Sequence, residues 1–178
     1  MEVNMKFEVV DPIPLSVDEA FLLLRDQMTE LVPFMEDTEE IVVVAREELE
    51  DQVKITNRWR ASRDKIPSAV RSFIKPDMLS WHDHATWTSS DHTGRWELDA
   101  LGSDKLFACR GETSLYEESG QTQLKIAIEF EVYPERVPGL PKFLAKKIGG
   151  QVEKMIGELL SSNMRQMAQS MTAYASSK

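Results

Sequence analysis

Between Gln123 and Tyr133 apolar and polar residues alternate without a break. Leu124, Ile126, Ile128, Phe130 and Val132 fall on one side, and Lys125, Glu129 and Glu131 with Ala127 on the other. A period of two predicts a half-buried strand of an antiparallel sheet. From Leu140 to about Tyr174 the period lengthens and predicts one helix, longer than is usual in a globular chain. Its inward stripe reads Leu144, Ile148, Val152, Met155, Leu159, Met164, Met167 and Met171.

The rest of the chain is written in shorter units. Met5–Val10 predicts a first strand, ended by Pro12 and Pro14. Ser16 with Glu19 forms a capping box, opening a helix to about Gln27 with Ala20, Phe21, Leu22 and Leu24 on its apolar side. A second short helix, limited by Pro33, is predicted for Met28–Phe34. Strands follow at Glu39–Glu47, Gln52–Ser62, Leu79–Ser89, Arg95–Ala100 and Leu106–Glu117, with a short helix or turn at Ile66–Ile74 in which Pro67 suits the first helical position. Val70, Phe73 and Ile74 of that segment could plug the sheet from one end. Turns at Glu48–Asp51, His92–Gly94, Gly102–Asp104 and Ser119–Gly120 imply a meander of neighbouring strands. The expected architecture is α+β: a curved antiparallel sheet of about six to seven strands around the last helix, with one or two short helices after the first strand. No linker breaks the pattern, so residues 1–178 are expected to form one domain.

Composition narrows the function. A net charge of -9 argues against nucleic acid as a partner. The charge is uneven: residues 134–178 hold seven Lys/Arg against three Asp/Glu, leaving -13 on residues 1–133. Lys142, Lys146 and Lys147 beside Phe143 could make a transient contact with an anionic membrane, although an ordinary solvated helix end is the simpler reading and the one favoured. Cys109 stands alone, which excludes an internal disulfide and fits a reducing compartment. The start of the chain lacks a signal pattern and no apolar run reaches membrane-spanning length, so a cytoplasmic chain is expected.

The order of elements resembles the START-like (SRPBCC, polyketide-cyclase and lipid-transfer) superfamily. The stretches that carry the likeness are Phe7–Val10 with Val17–Phe21, Ile66–Phe73 before Trp81, Gly94-Arg95-Trp96, and Val137–Pro141 leading to Ile148–Val152. The phrasing is most similar to an uncharacterised bacterial START-like family and more distantly to PRELI and VASt-type lipid-handling domains. The resemblance implies a helix-grip fold and binding of a lipid or other hydrophobic small molecule. It carries over no catalytic residue, because no catalytic motif matches.

The side chains that could do chemistry are few. Trp59, Trp81, Trp87 and Trp96 share the predicted concave face, where they either line a cavity or fill a solid core. Asn57 and Asp83 interrupt that apolar face. They could orient a polar group of a ligand, or Asp83 could be paired with a tryptophan N–H or with Arg58, Arg60 or Arg110. Ile128 and Phe130 of the last strand, and Phe143, Ile148, Val152 and Met155 of the last helix, complete the candidate lining. His82 and His84 lie on the opposite face and read as surface residues, and no metal or cofactor is expected. Cys109 reads as a small buried hydrophobe. Gly149-Gly150, inside the last helix, either makes room for a ligand or permits close packing. Three functions follow in order. The first is a non-catalytic carrier or sensor of an apolar molecule, with a cavity of several hundred Å3 expected. The second is a cyclase- or dehydratase-like enzyme using Asp83 as acid or base, helped by Asn57 and Arg110. The third is a protein-interaction module using the Met-rich helix end.

Overall fold

A computed structural model describes residues 3–66, 68–101, 107–136 and 139–178, apart from the side chains of residues 65, 69, 70, 148, 149, 151–153, 155–157, 159 and 160. Seven strands form one antiparallel sheet in the order β1-β7-β6-β5-β4-β3-β2. They are β1 (Val3–Ile13), β2 (Thr38–Glu48), β3 (Gln52–Ala61), β4 (Ser80–Thr88), β5 (Thr93–Ala100), β6 (Phe107–Glu118) and β7 (Gln121–Val132). Helix α1 (Val17–Asp26) and a 3-10 segment (Met28–Phe34) follow β1, α2 (Ser68–Arg71) lies between β3 and β4, and α3 (Lys142–Ser176) closes the chain.

From β2 to β7 each strand pairs with the next in sequence, and β1 then pairs with β7 to complete the order. The β6–β7 turn is set by Ser119 (φ 53°) and Gly120 (φ 77°), a pair of positive angles that matches the right-handed twist of the strands it joins. Strand β1 runs through Pro12, against the expectation that this residue ends it. The reason is its place at the sheet edge: Pro12 pairs only with Gln123 of β7, so its missing N–H can face away from the ladder. Strand β2 occupies the other edge and is bulged between Val43 and Ala45. Its valine run is therefore mostly solvated, with Ile41 buried and Val43 and Val44 exposed.

The capping box forms as the residues require. Ser16 Oγ accepts from the Glu19 N–H at 3.2 Å, and Glu19 Oε2 accepts from the Ser16 N–H at 2.9 Å. Ala20, Phe21, Leu23 and Leu24 face the core; Leu22, expected on that side, points to solvent, because the helical stripe passes through Leu23 instead. Replacing Ser16 by Ala is expected to cost about 1 kcal/mol, read as a lower denaturant midpoint at unchanged slope.

The far half of α3 packs into the same core. Met164, Ala168, Ser170 and Met171 are buried, and Tyr174 Oη donates to Glu30 Oε2 at 2.9 Å, fastening the helix end to the 3-10 segment. The sheet's outer face is a lattice of paired charges, among them Arg95 with Glu112 at 2.9 Å and Arg110 with Glu129 at 2.7 Å. No described helix is long and apolar enough to cross a membrane.

Candidate functional site

The site is built by strand parity. Residues two apart on β3, β4 and β5 point to the same face, so Asn57, Trp59, Trp81, Asp83, Trp87, Trp96 and Leu98 all turn inward. Between this face and α3 lies a cavity of about 170 Å3. All four tryptophans border it, with Asp83, Leu98, Thr113, Ile126 and Ile128 from the sheet. Leu24 and Met28 close one side, and Asn163, Met164 and Met167 of α3 form the roof. A larger concavity of about 730 Å3 lies on the outer face, but it is an open groove bordered by Lys6, Glu8, Arg95, Arg110 and Glu129. Its charges satisfy one another, so the inner cavity is the better site for an apolar molecule.

The four indoles do different work. Trp87 is buried and meets Phe21 edge-on at 5.7 Å. Its ring lies over Gly94, whose missing side chain makes the space. Trp96 lies over Gly111 in the same way, and its Nε1 donates to Thr113 Oγ1 at 3.1 Å. Trp59 and Trp81 face each other across β3 and β4 and stack at 6.1 Å and 14°. Two indoles are thus locked by small neighbours, while the stacked pair borders the polar end of the cavity.

That polar end consists of Trp59 and Asp83; Asn57, expected in the lining, is buried beside Asp83 but does not border the cavity. Asn57 pairs with Asp83 in register, and Trp59 is the diagonal neighbour of Asp83 on the same face. Asn57 Oδ1, Asp83 Oδ1 and Trp59 Nε1 are buried, and none has a hydrogen-bond partner. Asp83 as a residue keeps a fraction of its surface, yet that carboxylate oxygen is enclosed. Burial pushes the Asp83 carboxyl up to about 7. The Trp59 N–H lies near enough to oppose this in smaller part without completing a bond. Asp83 is the one ionisable side chain among the described lining residues. Cys109 lies two strands away in the same row; burial, and secondarily the Asp83 charge, push its thiol up to about 12, so it stays protonated.

The arginines considered as partners for Asp83 do not reach it. Arg58 and Arg60 pair with Glu40 and Glu39 at 3.5 and 3.2 Å, and Arg110 pairs with Glu129, all on the outer face. Strand parity forbids the alternative. His82 and His84 are outer-face residues too, and Thr56 Oγ1 lies 3.1 Å from His84 Nδ1. Among the described residues no three His, Cys, Asp or Glu are grouped to hold a metal ion.

Other expected lining residues are placed differently. Phe130 belongs to a neighbouring cluster with Cys109 and Val132 and stacks on Phe107 at 5.6 Å. Phe143, expected to face the cavity, is 74% exposed. The correction follows from helix geometry: Ala145 is buried, and a residue two positions earlier points the opposite way. The side chains of Ile148, Val152 and Met155 lie outside the described residues, as do the Gly102–Asp104 turn, Pro67 and the side chain of Val70. A side chain at Gly150 would meet open space, so close packing does not explain that glycine. Thr113 and Asn163, which sequence reasoning did not select, border the cavity. For Thr113 the signal was available, since it sits at inward parity next to the tryptophan strand.

A curved antiparallel sheet gripping a long terminal helix defines the helix-grip class, the fold of the START-like superfamily. From residue 9 to residue 174 the chain matches the family described as Protein of unknown function (DUF2505), and it belongs to that family. No protein of curated function matches it in sequence. Solved structures with the same fold include TTHA0849 from Thermus thermophilus, at 18% identity and a TM-score of 0.64, covering 97% of this chain and 99% of that one. The Zhui aromatase/cyclase from a Streptomyces species aligns at 10% identity and 0.61, covering 99% and 94%. Norcoclaurine synthase from Thalictrum flavum aligns at 12% and 0.52, covering 98% and 87%.

Proposed function

We propose that this chain binds a small hydrophobic molecule in the cavity between the sheet and α3, and that it acts as a carrier or sensor without catalysis. The observation that carries the reading is the indole-rich space itself. Apolar surface, rather than charge, dominates its walls, and an apolar hollow of this kind favours an apolar occupant. Its volume of about 170 Å3 is below the several hundred expected from the sequence and suits a single-ring body rather than a whole lipid.

Titration with p-xylene, read by indole fluorescence, is expected to give a saturable change, and native mass spectrometry a one-to-one adduct. Met167→Trp, which fills the roof, should abolish both while leaving the fold intact by circular dichroism. A parent chain with no fluorescence change and no adduct would overturn the reading.

A second reading is favoured by one specific observation: the Asp83 carboxyl sits near neutrality inside the cavity, where a general acid or base is useful. Two of the structurally similar proteins are enzymes by name, an aromatase/cyclase and a synthase. Against it, acid–base chemistry on a bound carbon skeleton usually draws on a second group, and Asp83 has no ionisable companion among the described lining residues. Turnover of a polyketide-like substrate that Asp83→Asn eliminates, with binding retained, would favour the enzyme.

A further inference from the structure

The cavity is apolar except at one end, and that end is incomplete. Asp83 Oδ1 and Asn57 Oδ1 can accept a hydrogen bond, Trp59 Nε1 can donate one, and each lacks a partner. Buried polar atoms are nearly always paired, so the two unpaired ones whose residues border the hollow, those of Asp83 and Trp59, mark the position of a polar group of the occupant. Strand register brings them together: Asn57 faces Asp83 across β3 and β4, and Trp59 is diagonal to Asp83.

The chemistry of the occupant's polar group follows from elimination. A bare hydrocarbon leaves the Asp83 and Trp59 atoms unpaired. A carboxylate would be buried without any cationic partner among the described lining residues. An ammonium has no lone pair for the Trp59 N–H and would lose its hydration among indoles and methionines. A hydroxyl is at once donor and acceptor and needs no countercharge. We propose that the occupant is a single-ring apolar molecule bearing one hydroxyl, whose oxygen accepts from the Trp59 indole N–H and whose hydrogen is donated to Asp83 Oδ1. Asn57, buried across from Asp83, does not border the cavity and takes no part in the contact. This rests on the reading of the cavity as a site for a small apolar molecule. It adds that the site tells a phenol or alicyclic alcohol from a hydrocarbon of the same shape.

Three probes of one size test it by calorimetry and indole fluorescence: p-cresol, p-xylene and p-methylbenzylamine. In the parent chain p-cresol should bind about tenfold or more tightly than p-xylene, since losing a partner for buried polar atoms costs that much. Asp83→Leu should reverse the preference, and Trp59→Phe, whatever it does to p-xylene by reshaping the wall, should lower the p-cresol-to-p-xylene affinity ratio about tenfold. If Asp83→Leu fails to fold, the Trp59→Phe pair of measurements decides. Equal binding of p-cresol and p-xylene would overturn the hydroxyl while leaving the apolar site standing. Amine binding as tight as p-cresol would replace the hydroxyl by a cation. No binding of any probe would overturn both this inference and the apolar site on which it rests.

Discussion

Asp83→Asn will melt higher than the parent chain at about pH 8, and its advantage will shrink by about 2 kcal/mol on going to about pH 5. The cause is the carboxyl's position. In the unfolded chain it titrates near its ordinary 3.8, and in the cavity burial lifts it to about 7. The folded state therefore holds the proton more tightly. Whatever stability the neutral acid contributes is fully present below the unfolded value and is lost as pH rises through the folded one. Above about pH 7 the parent must bury an anion or hold a proton against its gradient, whereas asparagine does neither. The full difference of about three pH units would amount to about 4 kcal/mol. The pH 5 to pH 8 portion is about 2 kcal/mol after allowance for the surface Asp83 retains, or roughly 4–8 °C for a chain of this size.

No other ionisable side chain among the described lining residues can produce this signature. Cys109, the nearest titratable group in the row, stays protonated throughout the range, and the outer-face arginines are engaged with glutamates. Thermal unfolding of both chains across pH checks it. A melting difference that stays constant between the two pH values would mean that Asp83 does not titrate there.

The sheet is legible in the sequence because its signal is local. Alternation in β7 and β4 and the Ser119-Gly120 turn depend on neighbours in sequence, and parity then places the four tryptophans and Asp83 on one face without any coordinates. The same parity excludes Arg58, Arg60 and Arg110 as partners for Asp83. Pro12 is not legible in this way, because edge position depends on which strand finally pairs with β7, a fact separated by more than a hundred residues of chain. Phe143 differs from its expected place for a related reason. A helical stripe gives a face, but the angle at which the helix first meets the sheet is set by tertiary packing. The size of the cavity is not legible at all. Whether four indoles fill a space or border it is decided by the rotamers they take and by what lies beneath them, and for two of them that is a glycine on the next strand.

Those glycines carry the second large effect. Gly111→Ala will destabilise the fold by about 2–3 kcal/mol and will shift the near-ultraviolet signature of the indoles. A methyl group there would stand 2.6 Å from Trp96 Cη2 and 2.5 Å from the Ala127 carbonyl oxygen, both well inside contact distance. One of these neighbours is backbone of the adjacent strand and cannot yield without disturbing the β6–β7 ladder. The other is a ring whose Nε1 is bonded to Thr113 at 3.1 Å. Relief requires Trp96 to swing away, breaking that bond and carrying the ring into the cavity it borders. The variant should therefore lose p-xylene binding together with stability. A methyl group at Gly94 would meet the Trp87 ring first, at 2.6 Å, with its three nearest atoms all on that side chain. Gly94→Ala should cost less, about 1–2 kcal/mol, and leave binding closer to the parent, because Trp87 is held in the core by Phe21. Denaturant melts of the two variants beside the parent, with p-xylene titrations of each, separate the outcomes. A Gly111→Ala chain as stable as the parent and still binding p-xylene would show that Trp96 does not rest on that glycine.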